Sequence, residues 1–486
     1  MVGAKYNPLS EEEINLIHSQ SLRVLEEIGI KAAGTAAFDV FKKAGANTQG
    51  NIVKISRSMV KDALESTPSK VMMYGRDDKY NLALKERDAH LGTGGAALSV
   101  IDIDSKEPRT ATLKDIMLLA RLVNKLDHIE FYLRPVVAQD IPKEVLDINK
   151  YYASMLGTTK HVMGSAYSSQ SLEQVIKLAS IIAGSEETLR SKPFVSFITC
   201  WMKSPLALDP HPTGLMMEIV KKGLPVVLSS APMAGSTAPV TLSGCLVQLH
   251  AEMLSGVVLT QLINPGAPVI YGYVPSIANP MTMDYIGGAA EFGLLNASAV
   301  QIAAYFGMPN YSSAGLTESK VPDAQAGIEK ALSVLQVAQA GGNYIHHAAG
   351  MLESMLSVSY AQYVIDNDIL GMTARILKGV EVNDEKMAFD VIAKVGPGGN
   401  YISQKHTAKN VRKEYFFPKV MDRSLRKEWK KKGSCDLWQK ANDQAKEILS
   451  SAQEPLIPAG IDSRIRKEFN ILIKDEVSAS VKQGVR

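Results

Sequence analysis

Few side chains in this sequence have the type and setting that chemistry needs. His346 and His347 adjoin, but strand alternation would send neighbours to opposite faces, so at most one of them is expected to meet a ligand directly. Paired histidine ligands would need a third protein ligand, and no HExxH pattern or neighbouring cysteine supplies one, so no metal site is expected. Glu252 lies in the apolar run Leu249-His250-Ala251-Glu252-Met253-Leu254, where an unpaired carboxylate is costly to bury. A structural hydrogen bond and an anionic contact to a cationic substrate would each answer that cost. The run Gly92-Thr93-Gly94-Gly95 fails as a nucleotide fingerprint, because Ala97 stands in place of the third glycine and no P-loop lysine follows. It fits a close backbone approach that leaves room beside Gly94 for a ligand.

Gly235 to Gly244 opens a strongly apolar helix, with Ser236 and Thr237 as capping hydroxyls; the free backbone donors there would serve either a substrate carboxylate or a plain N-cap. Ser313 to Gly327 reads as a polar loop in which Asp323 caps the next helix, and as the segment expected to cover a substrate. Tyr167, Trp201 and Tyr273 stand at the ends of strand-like runs, and Tyr311 and Tyr344 lie inside two more. Aromatic residues make up only 6% of the chain, so this placement points to a ring-lined pocket or to barrel packing.

The elements that must position these residues recur regularly. Runs rich in small, β-branched or aromatic residues fall at His90–Gly95, Ile129–Ala138, His161–Tyr167, Phe194–Trp201, Val226–Ala231, Val269–Val274, Asn310–Gly315 and Asn343–Ala349. They start roughly 30–43 residues apart, enough for a crossover helix after each, and this alternation is the pattern of an α/β fold of the (β/α)8 TIM-barrel type. In front, residues 1–88 read as an α/β extension that begins with a Ser10/Glu13 capping box. The barrel is expected over 89–350, and a mostly helical C-terminal region over 351–486, packed on the barrel. Basic residues crowd between Lys405 and Lys432, with Glu414, Asp422 and Glu428 among them, as on a solvated helix face.

A chain of 486 residues with 46% hydrophobic and 21% charged residues can bury a large core. Its balance of 53 Lys+Arg against 50 Asp+Glu argues against nucleic acid as a partner. Cys200, Cys245 and Cys435 are odd in number and widely spaced, which suits a reducing cytoplasm better than a disulfide framework. Met1 to Tyr6 lack the apolar core of a secretory signal. Pro265, Pro268 and Pro275 break the longest apolar stretch, so no membrane span is expected.

In their order and spacing, Gly92-Thr93-Gly94-Gly95, Gly235 to Gly244 with Ala251-Glu252, the loop Gly315 to Gly327 and the ending Leu456-Ile457-Pro458 resemble the trimethylamine methyltransferase superfamily. The likeness is to members without pyrrolysine, which include glycine betaine methyltransferases, and covers nearly the whole chain. The resemblance implies methyl transfer from an amine to the Co(I) corrinoid of a cognate carrier protein, or to free cob(I)alamin, in anaerobic one-carbon metabolism, with no tightly bound cofactor of the chain's own. The absence of pyrrolysine around Lys320 favours a quaternary amine, whose leaving group is already a neutral tertiary amine. Such a substrate has no N–H donors, so recognition falls to aromatic faces and a carboxylate. On this reading Trp201 and Tyr273 wall the cage with Tyr167 beside them, Glu252 is the charge partner, and His346 or His347, with the Ser236/Thr237 turn, takes a substrate carboxylate. Proline betaine, carnitine and γ-butyrobetaine stand as alternative substrates, and a homo-oligomer is left open. Two rivals remain: a Schiff-base lyase on Lys160 or Lys203, which would need a buried amine of depressed pKa, and a non-catalytic quaternary-amine sensor.

Overall fold

A computed structural model describes residues 5–32, 34–451 and 454–473. Met1 to Ala4, where the expected lack of a secretory signal begins, lie outside the described residues.

Every one of the eight apolar runs contains a strand. They are β1 (His90–Leu91), β2 (Phe131–Leu133), β3 (His161–Gly164), β4 (Val195–Thr199), β5 (Val226–Ser230), β6 (Val269–Tyr273), β7 (Asn310–Ser313) and β8 (Tyr344–His346). Neighbours pair in parallel from β2 round to β8 and on to β1, and a parallel bridge between Gly92 and Phe131 closes the cylinder. The strands are shorter than the runs. In β2, for example, Pro135 has no N–H to give the ladder two residues past the strand's end.

A helix follows each strand: α1 (Leu113–Asn124), α2 (Leu146–Gly157), α3 (Ser169–Ala183), α4 (Pro210–Lys221), α5 (Leu242–Ile263), α6 (Ala290–Tyr305), α7 (Ala324–Ala340) and α8 (Tyr360–Leu377). Side-chain caps start several of them, including a Thr112/Asp115 capping box on α1 and Ser359 on α8. The boundary expected at 350/351 falls between β8 and the helix returning from it, because α8 packs against both α7 and α1 and completes the ring. α5 is apolar all round and passes a length-and-composition test for a membrane span, yet it lies between β5, β6 and the N-terminal helices Glu11–Arg23 and Arg57–Ser66.

Alternation along each strand separates two cores. Inside the cylinder, Phe131, Leu133, Met163, Val227, Ile270, Tyr311 and Tyr344 pack on a hairpin, Val71–Met73 with Leu82–Leu84, that plugs the N-terminal end. Outside, Tyr132, Val162, Leu228, Tyr271 and Ile345 pack on the helices. The C-terminal end is rimmed by small sheets built from the strand-to-helix loops. One joins Met233–Ala234, Ser276–Ala278 and Tyr285–Ile286; another joins Ser99–Ile101, Pro108–Thr110, Met351–Leu352 and Ser357–Ser359. The N-terminal extension adds its own strands to the loop after β4 through Lys31 and Ala207. Between Lys405 and Lys432 the basic residues are mostly exposed, and some pair with acids inside and outside the segment, as in Lys431–Glu428 and Lys409–Glu385.

Candidate active site

Where the strands end, a column of rings rises through the cylinder to its open mouth. Phe131 stacks on Tyr344 with ring centroids 3.5 Å apart, Tyr344 and Tyr311 are 5.9 Å apart, and Tyr311 lies 4.0 Å from His346. His347 follows at 3.8 Å from His346. The expectation that the two histidines face opposite sides does not hold. His347 has a φ of 62°, in the left-handed region, so the strand alternation stops at His346 and both rings come to the same wall. Gly94 is what lets β1 close on them: a Cβ there would lie 2.8 Å from the His347 nitrogen and 3.0 Å from the His346 ring.

Both imidazoles are buried and neutral. His346 donates its Nδ1–H to the Ser312 carbonyl at 2.6 Å, and burial pushes its pKa down to about 3. His347 shares a 2.7 Å hydrogen bond with Ser313 Oγ and is held well below the usual histidine range by burial, then by His346 and Lys330. Burial holds the Tyr311 hydroxyl well above the usual phenol range, with the acidic groups of Cys200, Tyr344 and Tyr285 adding to the shift and the Arg134 cation opposing it. The Cys200 thiol, pushed up by the surrounding protein, is not a ready thiolate. Glu318 brings a carboxylate to bear on Tyr285. Its Oε1 accepts from the N–H of Gly287 at 2.8 Å, the N–H of Gly288 at 3.2 Å and the Ser354 hydroxyl.

A buried ion pair fixes this wall from behind. Lys330 Nζ lies 3.2 Å from Asp366 Oδ2, with both side chains fully buried, and also donates to the Gly315 and Met351 carbonyls. Thr317 and the Glu318 N–H bind Glu329 at 2.6 and 2.9 Å. The loop after β7, expected to cover a substrate, is therefore a buried, pinned part of the wall over Ala314–Thr317, and Asp323 caps α7 as expected.

Most of the other residues singled out from sequence lie elsewhere. Trp201 and Tyr273 are fully buried but belong to the outer core: the Trp201 ring packs on Gly256 of α5, and Tyr273 stands edge-on to Tyr271. Each sits one residue out of phase with the interior, so neither walls the mouth. Tyr167 is 74% exposed beside His211. Glu252 lies behind the wall with both oxygens occupied, accepting from Ser204 Oγ at 2.8 Å, the Leu206 N–H at 3.0 Å, Ser230 Oγ at 2.5 Å and Gln248 Nε2 at 3.0 Å. Burial raises its pKa against those four donors. It fastens the loop after β4 to α5, which is the structural reading of this residue rather than the substrate contact. Ser236 and Thr237 do not cap α5, whose N-cap is Thr241; Thr237 Oγ1 accepts from the Met233 N–H within a turn. Lys160 does have a depressed pKa, about 7, but it sits at the plugged end, its Nζ donating to three carbonyls, Val123, Leu126 and Ile129. Lys203 is exposed and paired with Asp209 at 2.9 Å.

Comparison with known proteins adds the decisive finding. The trimethylamine methyltransferase family matches residues 2–476. The chain belongs to that family. Among curated relatives, a trimethylamine methyltransferase of Desulfitobacterium hafniense is 35% identical over 94% of this chain and 92% of its own. A glycine betaine methyltransferase from another strain of that species is 33% identical over 95% and 96%. A trimethylamine methyltransferase of Methanosarcina barkeri is 34% identical over 94% of each chain. Of solved structures, a phospho-2-dehydro-3-deoxyheptonate aldolase of Thermotoga maritima covers 73% of this chain and 98% of its own at 12% identity, with a TM-score of 0.37.

This family methyltransferase thus carries a buried ring column that runs toward the face where barrel enzymes hold their sites, the C-terminal ends of the strands. Sequence reasoning reaches Tyr311, Tyr344, His346 and His347 but not Arg134, Cys200, Tyr285, Glu318 or the Lys330–Asp366 pair. For Arg134 a signal existed: it ends the otherwise apolar strand Phe131-Tyr132-Leu133. Lys330 and Asp366 carry none, since helix charges are ordinarily solvated.

Proposed function

We propose that this methyltransferase moves a methyl group from a quaternary amine, glycine betaine foremost, to the Co(I) corrinoid of a carrier protein, releasing a tertiary amine such as dimethylglycine. The relatives named for trimethylamine and for glycine betaine are similarly close, so identity alone does not choose between them. The observation that carries the choice is the neutrality of the two imidazoles. His346 and His347 are both unprotonated at neutral pH, so neither can protonate a departing nitrogen. A quaternary amine needs no such proton, because the C–N bond electrons leave on a neutral amine. Its cation has no N–H to donate, and the aromatic column that ends in Tyr311, His346 and His347, with the Glu318 carboxylate acting on Tyr285, supports holding it.

A corrinoid supplies a reduced cobalt whose electron pair forms the new bond to the methyl carbon. What this chain contributes is position: a well that holds the nitrogen with one methyl toward the open end, where near-attack geometry lowers the barrier. The rim suits a large apolar visitor. Leu98, Tyr167, Val240, Met281, Met283 and Leu356, on loops after five different strands, are all exposed. Cys200, Cys245 and Cys435 are free thiols, which supports a reducing cytoplasm as the compartment.

The test is anaerobic. Protein mixed with cob(I)alamin and glycine betaine is expected to convert the Co(I) spectrum to that of methylcobalamin, and trimethylamine is expected to leave it unchanged. Betaine binding without conversion would make the chain a sensor, and conversion by trimethylamine would overturn the quaternary-amine assignment.

A further inference from the structure

Beside the mouth, between the ends of β2 and β3 and the start of α2, lies a cavity of about 310 Å³. It is lined by Arg134, Lys143, Lys150, Asp147, Ser165 and Tyr167 among others, three cations to one carboxylate. That carboxylate is fully used. Asp147 Oδ1 takes Lys150 Nζ at 2.5 Å, and Oδ2 takes the Tyr167 N–H and Ser171 Oγ, each at 2.6 Å. Nothing is left for Arg134. Its Nε is buried with no hydrogen-bond partner among the described residues, and of its other N–H groups one reaches a carbonyl, Val136 O, at a long 3.4 Å. A guanidinium whose Nε is buried and idle carries a desolvation cost that an anion would relieve, and its fork matches a carboxylate in two parallel bonds. Arg134 directly follows β2, whose Phe131 stacks on Tyr344 in the ring column, and its positive charge acts on the buried Tyr311 hydroxyl.

Resting on the quaternary-amine reading above, we propose that Arg134 and this cavity bind the carboxylate of a zwitterionic substrate, so that the enzyme selects betaines over quaternary amines that lack an acid group. His346 and His347 are poor alternatives, because neutral imidazoles attract a carboxylate weakly and one Nδ1–H is already given to Ser312. The Ser236/Thr237 turn is no better, with Thr237 Oγ1 engaged by Met233. The cavity's size leaves room for betaines with a longer spacer between nitrogen and carboxylate.

Calorimetric titration with three ligands separates the contributions: glycine betaine, choline, which keeps the ammonium but has no acid, and the tert-butyl analogue of betaine, in which carbon replaces nitrogen and only the carboxylate remains. Arg134→Gln is expected to weaken betaine and the tert-butyl acid about 10–100-fold, the factor that a charge-assisted pair carries. Choline binding is expected to stay within about twofold, which also reports an intact well. Should the glutamine variant not fold, Arg134→Lys must show the same selective loss in smaller measure, since it keeps the charge but not the fork. Equal losses for all three ligands, or a tert-butyl acid that does not bind or ignores Arg134, would overturn the proposal while leaving the quaternary-amine reading intact if choline still binds. Conversely, Arg134-dependent binding of the tert-butyl acid without binding of choline or betaine would keep the anion site and discard the quaternary amine.

Discussion

Replacing Lys330 with methionine is expected to be among the most damaging single changes near the site. Lys330 and Asp366 are both fully buried and paired at 3.2 Å. The ammonium also holds the carbonyls of Gly315 and Met351, one from the loop after β7 and one from the loop after β8. Burial lowers the pKa of Lys330 and raises that of Asp366, so each is charged only because the other is present. Methionine fills most of the space but leaves Asp366 with the Gly350 N–H at 2.7 Å and Gln362 Nε2 at 2.8 Å as its remaining donors. Breaking one side of a buried pair costs about 3–5 kcal/mol, whereas replacing both sides with apolar groups of similar volume is often near neutral. Lys330→Met should therefore lose about 3–5 kcal/mol in urea unfolding, and Lys330→Met/Asp366→Leu should recover at least about 2 kcal/mol of it. A single variant that loses under about 1 kcal/mol, or a double variant that loses the sum of the two singles, would refute the idea that this pair pins the wall behind His347.

Three further outcomes follow from the geometry. Tyr311→Leu removes the ring that backs His346 in the column and should raise the KM for the quaternary amine by the equivalent of about 0.5–2 kcal/mol, read in the cobalamin assay; an unchanged KM would take Tyr311 out of the site. Trp201→Leu should do the reverse, leaving the KM unaltered while costing about 2–3 kcal/mol of stability in denaturant, because its ring packs between the barrel and α5 rather than facing a ligand. Stability should also fall as pH drops below about 6.5. His161 at about 4 and His346 at about 3, with His250 and His347 also lowered, stay neutral in the folded chain while the unfolded chain takes up protons, each contributing up to about 1.4 kcal/mol per pH unit. Glu252 and Asp366, raised by burial, act in the opposite sense but are outnumbered, so a midpoint in urea that rises from pH 6.5 to 5 would contradict the assignment of neutral histidines.

The sequence made the frame legible because strand and helix alternate by composition alone: β-branched runs such as Val226-Val227-Leu228 and long apolar helices such as Leu242–Ile263 need no tertiary information. Which side of a strand faces inward was not legible. Strands of a parallel barrel are buried on both faces and carry no polar alternation, so Val-Ile-Tyr-Gly-Tyr in β6 gives no hint that Gly272 looks in and Tyr271 and Tyr273 look out. That one missing parity assigns Trp201 and Tyr273 to the site, although both face the outer core. His347 was misplaced for a different reason, a left-handed backbone at a residue that is neither Gly nor Asn. Glu252 was rightly seen as a costly buried acid, and the partners that satisfy it come from Ser204, Leu206 and Ser230, distant in sequence from its helix.

A crystal structure of the protein soaked with glycine betaine tests the central claim most directly. The trimethylammonium group is predicted beside the ring column at its His347 end, with a methyl directed to the open end of the barrel. Density for the ligand outside the barrel mouth, or a well that stays filled with water at saturating betaine, would contradict it.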